Sequence, residues 1–202
     1  MKKKQNKKKS SRANMPFLIA GLGNPGDEFS RTRHNIGREI VLAFAKQNDF
    51  PEFHSEKKWN ADITEGNIGS RKVVVALPNT FVNKSGAAIA PITQFFKIKP
   101  DRILLAHDDA DILFGSAKLS FDKRSAGHKG AESVIRALKT TAFWRFRIGI
   151  GSPRNLAAEK IVLKKFTPDE LNLTKKIIKR TLGALEQAIT ASPEIAMNEY
   201  NQ

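Results

Sequence analysis

The sequence predicts an α/β fold, a three-layer α/β/α sandwich around a central mixed, mainly parallel sheet. Short apolar runs such as FLIA at 17–20, KVVVAL at 72–77, ILLA at 103–106 and FRIGI at 146–150 have the length and β-branched content of buried strands. Segments with helical apolar spacing alternate with these runs, and strand–helix alternation over one core is the signature of this architecture. The 202 residues are 40% apolar and 27% charged and carry no interdomain linker or internal repeat, so one domain over residues 15–202 is expected.

Taken in order, residues 1–14 (MKKKQNKKKSSRAN) hold six Lys, one Arg and no acid, and read as a disordered basic tail with no apolar signal segment. The first strand, 17–20, enters a tight loop, GLGNPG at 21–26. A helix follows from about Asn35, with Ile36, Ile40, Val41, Phe44 and Ala45 on one face. Residues 51–70 are mixed, with a possible strand at 61–64, and the strand 72–77 comes next. Asn83-Lys84-Ser85-Gly86 leads into a helix carrying Ala88, Ile89, Ile92, Phe95 and Phe96, which Pro100-Asp101 ends. The strand 103–106 exits through His107-Asp108-Asp109-Ala110-Asp111. A strand at 118–121, a loop at 122–127, a helix at 133–138 and the strand 146–150 complete the alternation. The last third is helical from Pro168 through Ile189 and again from Glu194 to Tyr200.

The net charge is +15, and the tail's seven cations leave +8 for the remainder, so both parts favour a polyanionic partner. There is no cysteine, which excludes disulfides and thiolate chemistry and allows the cytoplasm. No apolar run approaches the roughly 20 residues of a membrane-spanning helix. The four histidines lack metal-ligand spacing, and no metal is expected.

Ligands of open α/β sheets collect at the carboxyl ends of the strands, and Asn24, Asn83 and Asp108 each follow a predicted strand end. Gly21-x-Gly23-x-x-Gly26 satisfies the dinucleotide-binding expression. However, Pro25 to Glu28 place a turn and two carboxylates where a helix N-terminus would have to meet pyrophosphate. His34 stands in Arg31-Thr32-Arg33-His34-Asn35 ahead of a helix, where two arginines favour the neutral imidazole that a general base requires. Such a base needs a carboxylate to fix its tautomer. Asp108 is the first choice, with Asp109 and Asp111 in competition; the three aspartates could also suggest Mg²⁺, but the segment lacks a phosphate loop and other ligands at diagnostic spacing. Asn24 and Asn83 are either turn residues or carboxamides that donate to and accept from a peptide.

Together these blocks resemble the bacterial peptidyl-tRNA hydrolase family. GLGNPGDEFSRTRHNIG at 21–37 is similar to its opening signature, PNTFVNKSG at 78–86 to its second block and ILLAHDDADILFG at 103–115 to its third. AGHKG at 126–130, FRIGIGSP at 146–153 and AMNEYN at 196–201 resemble later landmarks in the same order. The resemblance implies hydrolysis of the ester between peptide and tRNA, by a cytoplasmic monomer without metal or cofactor. It implies His34 as catalytic base, Asp108 as its support, and Asn24 and Asn83 holding the peptidyl end. Phe29 and Phe81 would line the cleft, and Arg147 would meet the tRNA 5′ phosphate, with Lys118 beside it. His128 and Lys129 would also contact substrate.

The chain departs from the family pattern at several positions. Lys129 replaces a usual asparagine and supplies donors but no acceptor. Phe29 replaces a frequent tyrosine and Val82 a frequent methionine, and Ser120 replaces a frequent cation, for which Lys118, Lys123 or Arg124 would substitute. A tRNA-binding paralogue with weakened catalysis is the second reading these departures suggest.

Overall fold

The computed structural model describes residues 15–151 and 161–201, so the tail expected at 1–14 lies outside the described residues. In chain order the elements are β1 (Phe17–Gly21), α1 (Ile36–Gln47), β2 (His54–Glu56), β3 (Ala61–Ile68), β4 (Arg71–Pro78) and α2 (Gly86–Phe95). They continue with β5 (Ile103–Leu113), β6 (Ala117–Phe121), α3 (Lys129–Leu138), β7 (Trp144–Gly151), α4 (Pro168–Thr190) and α5 (Pro193–Tyr200). The strands form one sheet in the order β2-β3-β4-β1-β5-β7-β6. The β4–β1, β1–β5 and β5–β7 pairs are parallel, while β2–β3, β3–β4 and β7–β6 are antiparallel.

Alternate residues of each central strand enter opposite cores, because side chains on a strand point to opposite faces. Phe17, Ile19, Val73, Val75, Leu104 and Ala106 pack with the apolar stripes of α1, α4 and α5. Leu18, Ala20, Val74, Ala76, Ile103 and Leu105 pack with Ala88, Ile89 and Ile92 of α2 and Val134 of α3. Burial on both faces explains why these runs are uninterrupted apolar sequences rather than alternating ones.

Three differences from the sequence reading affect the site. First, β5 continues to Leu113, so His107, Asp108 and Asp109 lie inside the strand, buried, instead of beyond its end. The backbone of β7 supplies ladder partners as far as Asp109↔Gly149, after which the register shifts, and polar side chains do not interrupt a backbone ladder. Second, α3 begins at Lys129 because His128 caps it, accepting at Nδ1 from the Ala131 N–H at 3.1 Å. Third, the short exposed strand β2 extends the antiparallel edge, and β3 runs on to Ile68.

Close backbone approach fixes the entry of α1. A Cβ at Gly37 would lie 2.2 Å from the Ala106 carbonyl oxygen, so only glycine lets the helix rest on β5 just before Asp108. The turn just before it, Arg33–Asn35, is thereby carried over Asp108. A strap from the later chain covers the outer side of this turn. The Arg33 and His34 N–H groups donate to the Lys164 and Val162 carbonyls at 3.0 and 2.8 Å.

Candidate active site

At the carboxyl edge of the sheet, Asp108 Oδ1 accepts from His34 Nδ1 at 2.7 Å and from His128 Nε2 at 2.9 Å. All three residues are buried or nearly so. The tautomers follow from the partners. His128 Nδ1 accepts from a backbone N–H, so its proton is on Nε2, directed at Asp108. His34 likewise donates from Nδ1, which leaves Nε2 carrying a free lone pair. Burial by itself would push the Asp108 carboxyl up, but the His128 and His34 rings, through charge and hydrogen bonds, hold it well below the usual carboxylate range. Both nitrogens of His128 are thus engaged. The sequence assigned it to substrate contact, whereas its geometry orients Asp108.

Asn24 stands on the loop after β1. Its Oδ1 accepts from the Val82 N–H at 2.9 Å, which fixes the orientation of the carboxamide and leaves one oxygen lone pair. Its two amide hydrogens remain as donors. Val82 opens the turn Val82–Lys84, which carries Asn83, and a Cβ at position 130 would lie 2.7 Å from Val82 Cγ2. Glycine there lets the first turn of α3 close against the Asn83 turn.

The arginines flanking His34 do not face it. Arg33 reaches outward to Glu170 at 2.6 Å and to the Lys165 carbonyl at 2.8 Å, and lies 5.2 Å over the Phe166 ring, so its charge is neutralised away from His34. Arg31 stands by Glu39, whose carboxyl burial raises and Arg31 opposes. The competing aspartates separate as well. Asp109 pairs through Oδ2 with Arg147 Nε at 2.7 Å, and Asp111 is exposed. Arg147 is in cross-strand register with the exposed Lys118, which places two cations side by side. Ser120 is in register with Arg145, and Lys123 and Arg124 are exposed on the following loop. Phe29 and Phe81 meet edge-on with centroids 6.4 Å apart, and Phe81 is 61% exposed.

The profile of the peptidyl-tRNA hydrolase family matches residues 18–202. The chain belongs to this family. Peptidyl-tRNA hydrolase of Aquifex aeolicus is 37% identical over 92% of this chain and 96% of its own length, and that of Chloroflexus aggregans 39% over 92% and 98%. The crystal structure of peptidyl-tRNA hydrolase from Acinetobacter baumannii superposes with a TM-score of 0.86 at 32% identity, covering 93% of this chain and 95% of that one. Membership makes the chain a hydrolase acting on ester bonds.

Within this hydrolase site, sequence reasoning missed three residues. Asn35 grips the Asn24 backbone, accepting from its N–H at 2.8 Å and donating to its carbonyl at 2.9 Å. Its place next to His34 in the opening signature was the available signal. His107 is fully buried, with Nδ1 donating to the Asp108 carbonyl at 2.6 Å and its ring 4.5 Å from that of His128. Arg145 is also fully buried, and among the described residues its guanidinium has no hydrogen-bond partner. Burial, with Arg147 adding to it, lowers Arg145 to about 10.

His34, Asp108 and His128 present ligand atoms within 4.8 Å of one another, close enough to surround a cation. The donor set does not fit one well, because the Ala131 N–H fixes His128 as a proton donor at the nitrogen that would have to ligate. Among the described residues, no helix is long and apolar enough to cross a membrane.

Proposed function

We propose that His34 is the base by which this chain hydrolyses the ester joining a peptide to the 3′ ribose of tRNA, recycling tRNA released from stalled ribosomes. The observation that carries this reading is the His34–Asp108 hydrogen bond of 2.7 Å, which leaves Nε2 able to take a proton from water. The water oxygen bonds to the ester carbonyl carbon as its proton passes to His34 Nε2. The carbon–oxygen bond to the ribose then breaks, and the ribose oxygen takes that proton. Asp108 stabilises the imidazolium formed in between, and His128 holds the carboxylate in line. The Asn24 amide hydrogens donate to the developing oxyanion.

In this reading Asn83 and Lys129 face the peptide, Phe29 and Phe81 flank the 3′ end, and the Lys118–Arg147 pair meets RNA phosphate. A substrate made by ribosomes supports a cytoplasmic reaction. The test is release of peptide from N-blocked aminoacyl-tRNA by the purified protein, with His34→Ala removing nearly all turnover. Full turnover in that variant would exclude His34 as the base.

A further inference from the structure

On the elements that support the His34–Asp108 centre is a groove of about 650 Å³, lined by Asn83, Ala87, Lys129, Glu132, Arg136 and Ala137. Its two walls are the turn Val82–Lys84 with α2 on one side and α3 on the other. They are also the walls of the catalytic centre. Val82 fixes Asn24 through its N–H, and His128, which immediately precedes Lys129, donates to Asp108. The groove thus lies between the same two elements that hold Asn24 and Asp108.

Lys129 is exposed and, among the described residues, makes no ion pair. The groove's carboxylate does not neutralise it, since Glu132 is held by Arg136 at 3.0 Å and by Ser125. A lysine in the first turn of a helix also opposes the helix dipole, so α3 gains nothing from it. The groove thus presents the Asn83 carboxamide, the small Ala87 and Ala137 surfaces and the Lys129 cation.

In the reading above this groove takes the peptide arm of the substrate, and we propose that Lys129 selects peptides bearing a carboxylate close to the ester. The inference rests on the peptidyl-tRNA reading above. An extended peptide suits these walls, because Asn83 can pair with a backbone amide while Ala87 and Ala137 accommodate side chains. A phosphate chain would run against Glu132. The two adjacent cations suited to it, Lys118 and Arg147, are on the strands β6 and β7 instead. Lysine carries only donors, so its partner must be an acceptor, and an anion is favoured over a carbonyl.

The test uses three N-blocked dipeptidyl-tRNAs sharing one tRNA and one C-terminal residue, with Glu, Gln or Lys as the penultimate residue. An exposed lysine–carboxylate pair changes affinity by a factor of about 1.5 to 5. The expected order of kcat/KM is Glu over Gln over Lys, expressed in KM, with a spread that shrinks at high salt. Lys129→Gln should collapse the spread and Lys129→Glu invert it. Failure of the parent protein to cleave any of the three would overturn the peptidyl-tRNA reading itself. Cleavage of all three at one rate, or an unchanged spread in Lys129→Gln, would overturn only the preference. A uniform rise in KM across all three substrates in Lys129→Gln would show that the groove holds RNA, and would overturn it too.

Discussion

Asn35 holds Asn24 by both backbone groups, with its carboxamide oxygen 2.8 Å from the Asn24 N–H and its nitrogen 2.9 Å from the Asn24 carbonyl. One buried side chain thus fixes the backbone of a loop whose own side chain is fixed by Val82. Because Asn35 directly follows His34, the base and the amide donor are positioned from the same turn before α1.

Asn35→Ala should therefore lower kcat by about tenfold or more with little change in KM, since two hydrogen bonds of about 1 kcal/mol each are lost from a buried loop. Circular dichroism should report a folded protein with a reduced Tm. A kcat equal to the parent's would show that Asn24 needs no such support.

Asp108→Asn keeps shape but removes the charge that accepts from two imidazoles. The expected loss in kcat is about 10²- to 10⁴-fold, because the imidazolium formed during reaction is no longer stabilised. Single-turnover kinetics on N-blocked aminoacyl-tRNA measure it, and a loss below threefold would remove Asp108 from the proposed chemistry.

Gly37→Ala places a methyl group 2.2 Å from the Ala106 carbonyl oxygen, a contact that only movement of α1 relieves. Overpacking of this kind costs about 1–3 kcal/mol. Denaturant unfolding should show that loss, and kcat should fall as His34 moves off Asp108. A parental kcat in a destabilised protein would separate the helix position from catalysis.

His107 is held neutral, well below its ordinary value of 6.5, first by burial and then by the neighbouring His128. The unfolded chain takes up a proton here that the folded protein refuses, so this contribution to stability is complete above pH 6.5 and is lost as pH falls below it. Asp108 acts in a different window, its carboxyl being depressed from 3.8, so its contribution is lost only below that pH. The Tm difference between the parent and His107→Leu should accordingly change between pH 6.5 and about 4.5. A constant difference across that range would show that His107 does not stay neutral.

The sequence by itself determined the layers and the central strands, because strands buried on both faces must be continuous apolar runs and helices packed on one side must repeat at 3.6 residues. It also placed Asn24 and Asn83 in loops after strands, where this architecture gathers ligands, but it put Asp108 beyond the end of a strand that in fact continues to Leu113. It could not separate Asp108 from Asp109, since neighbouring residues on one strand face opposite ways and only the pairing with β7 shows that Asp109 belongs to Arg147. Nor could it show that Arg33 turns from His34 to Glu170, 137 residues away in the chain, or that His128 has no nitrogen free for substrate. Local pattern records which groups a chain carries. Which groups share a hydrogen bond is decided by tertiary contacts between distant segments, and here those contacts set the tautomer of His34 and leave Lys129 without an ion-pair partner among the described residues.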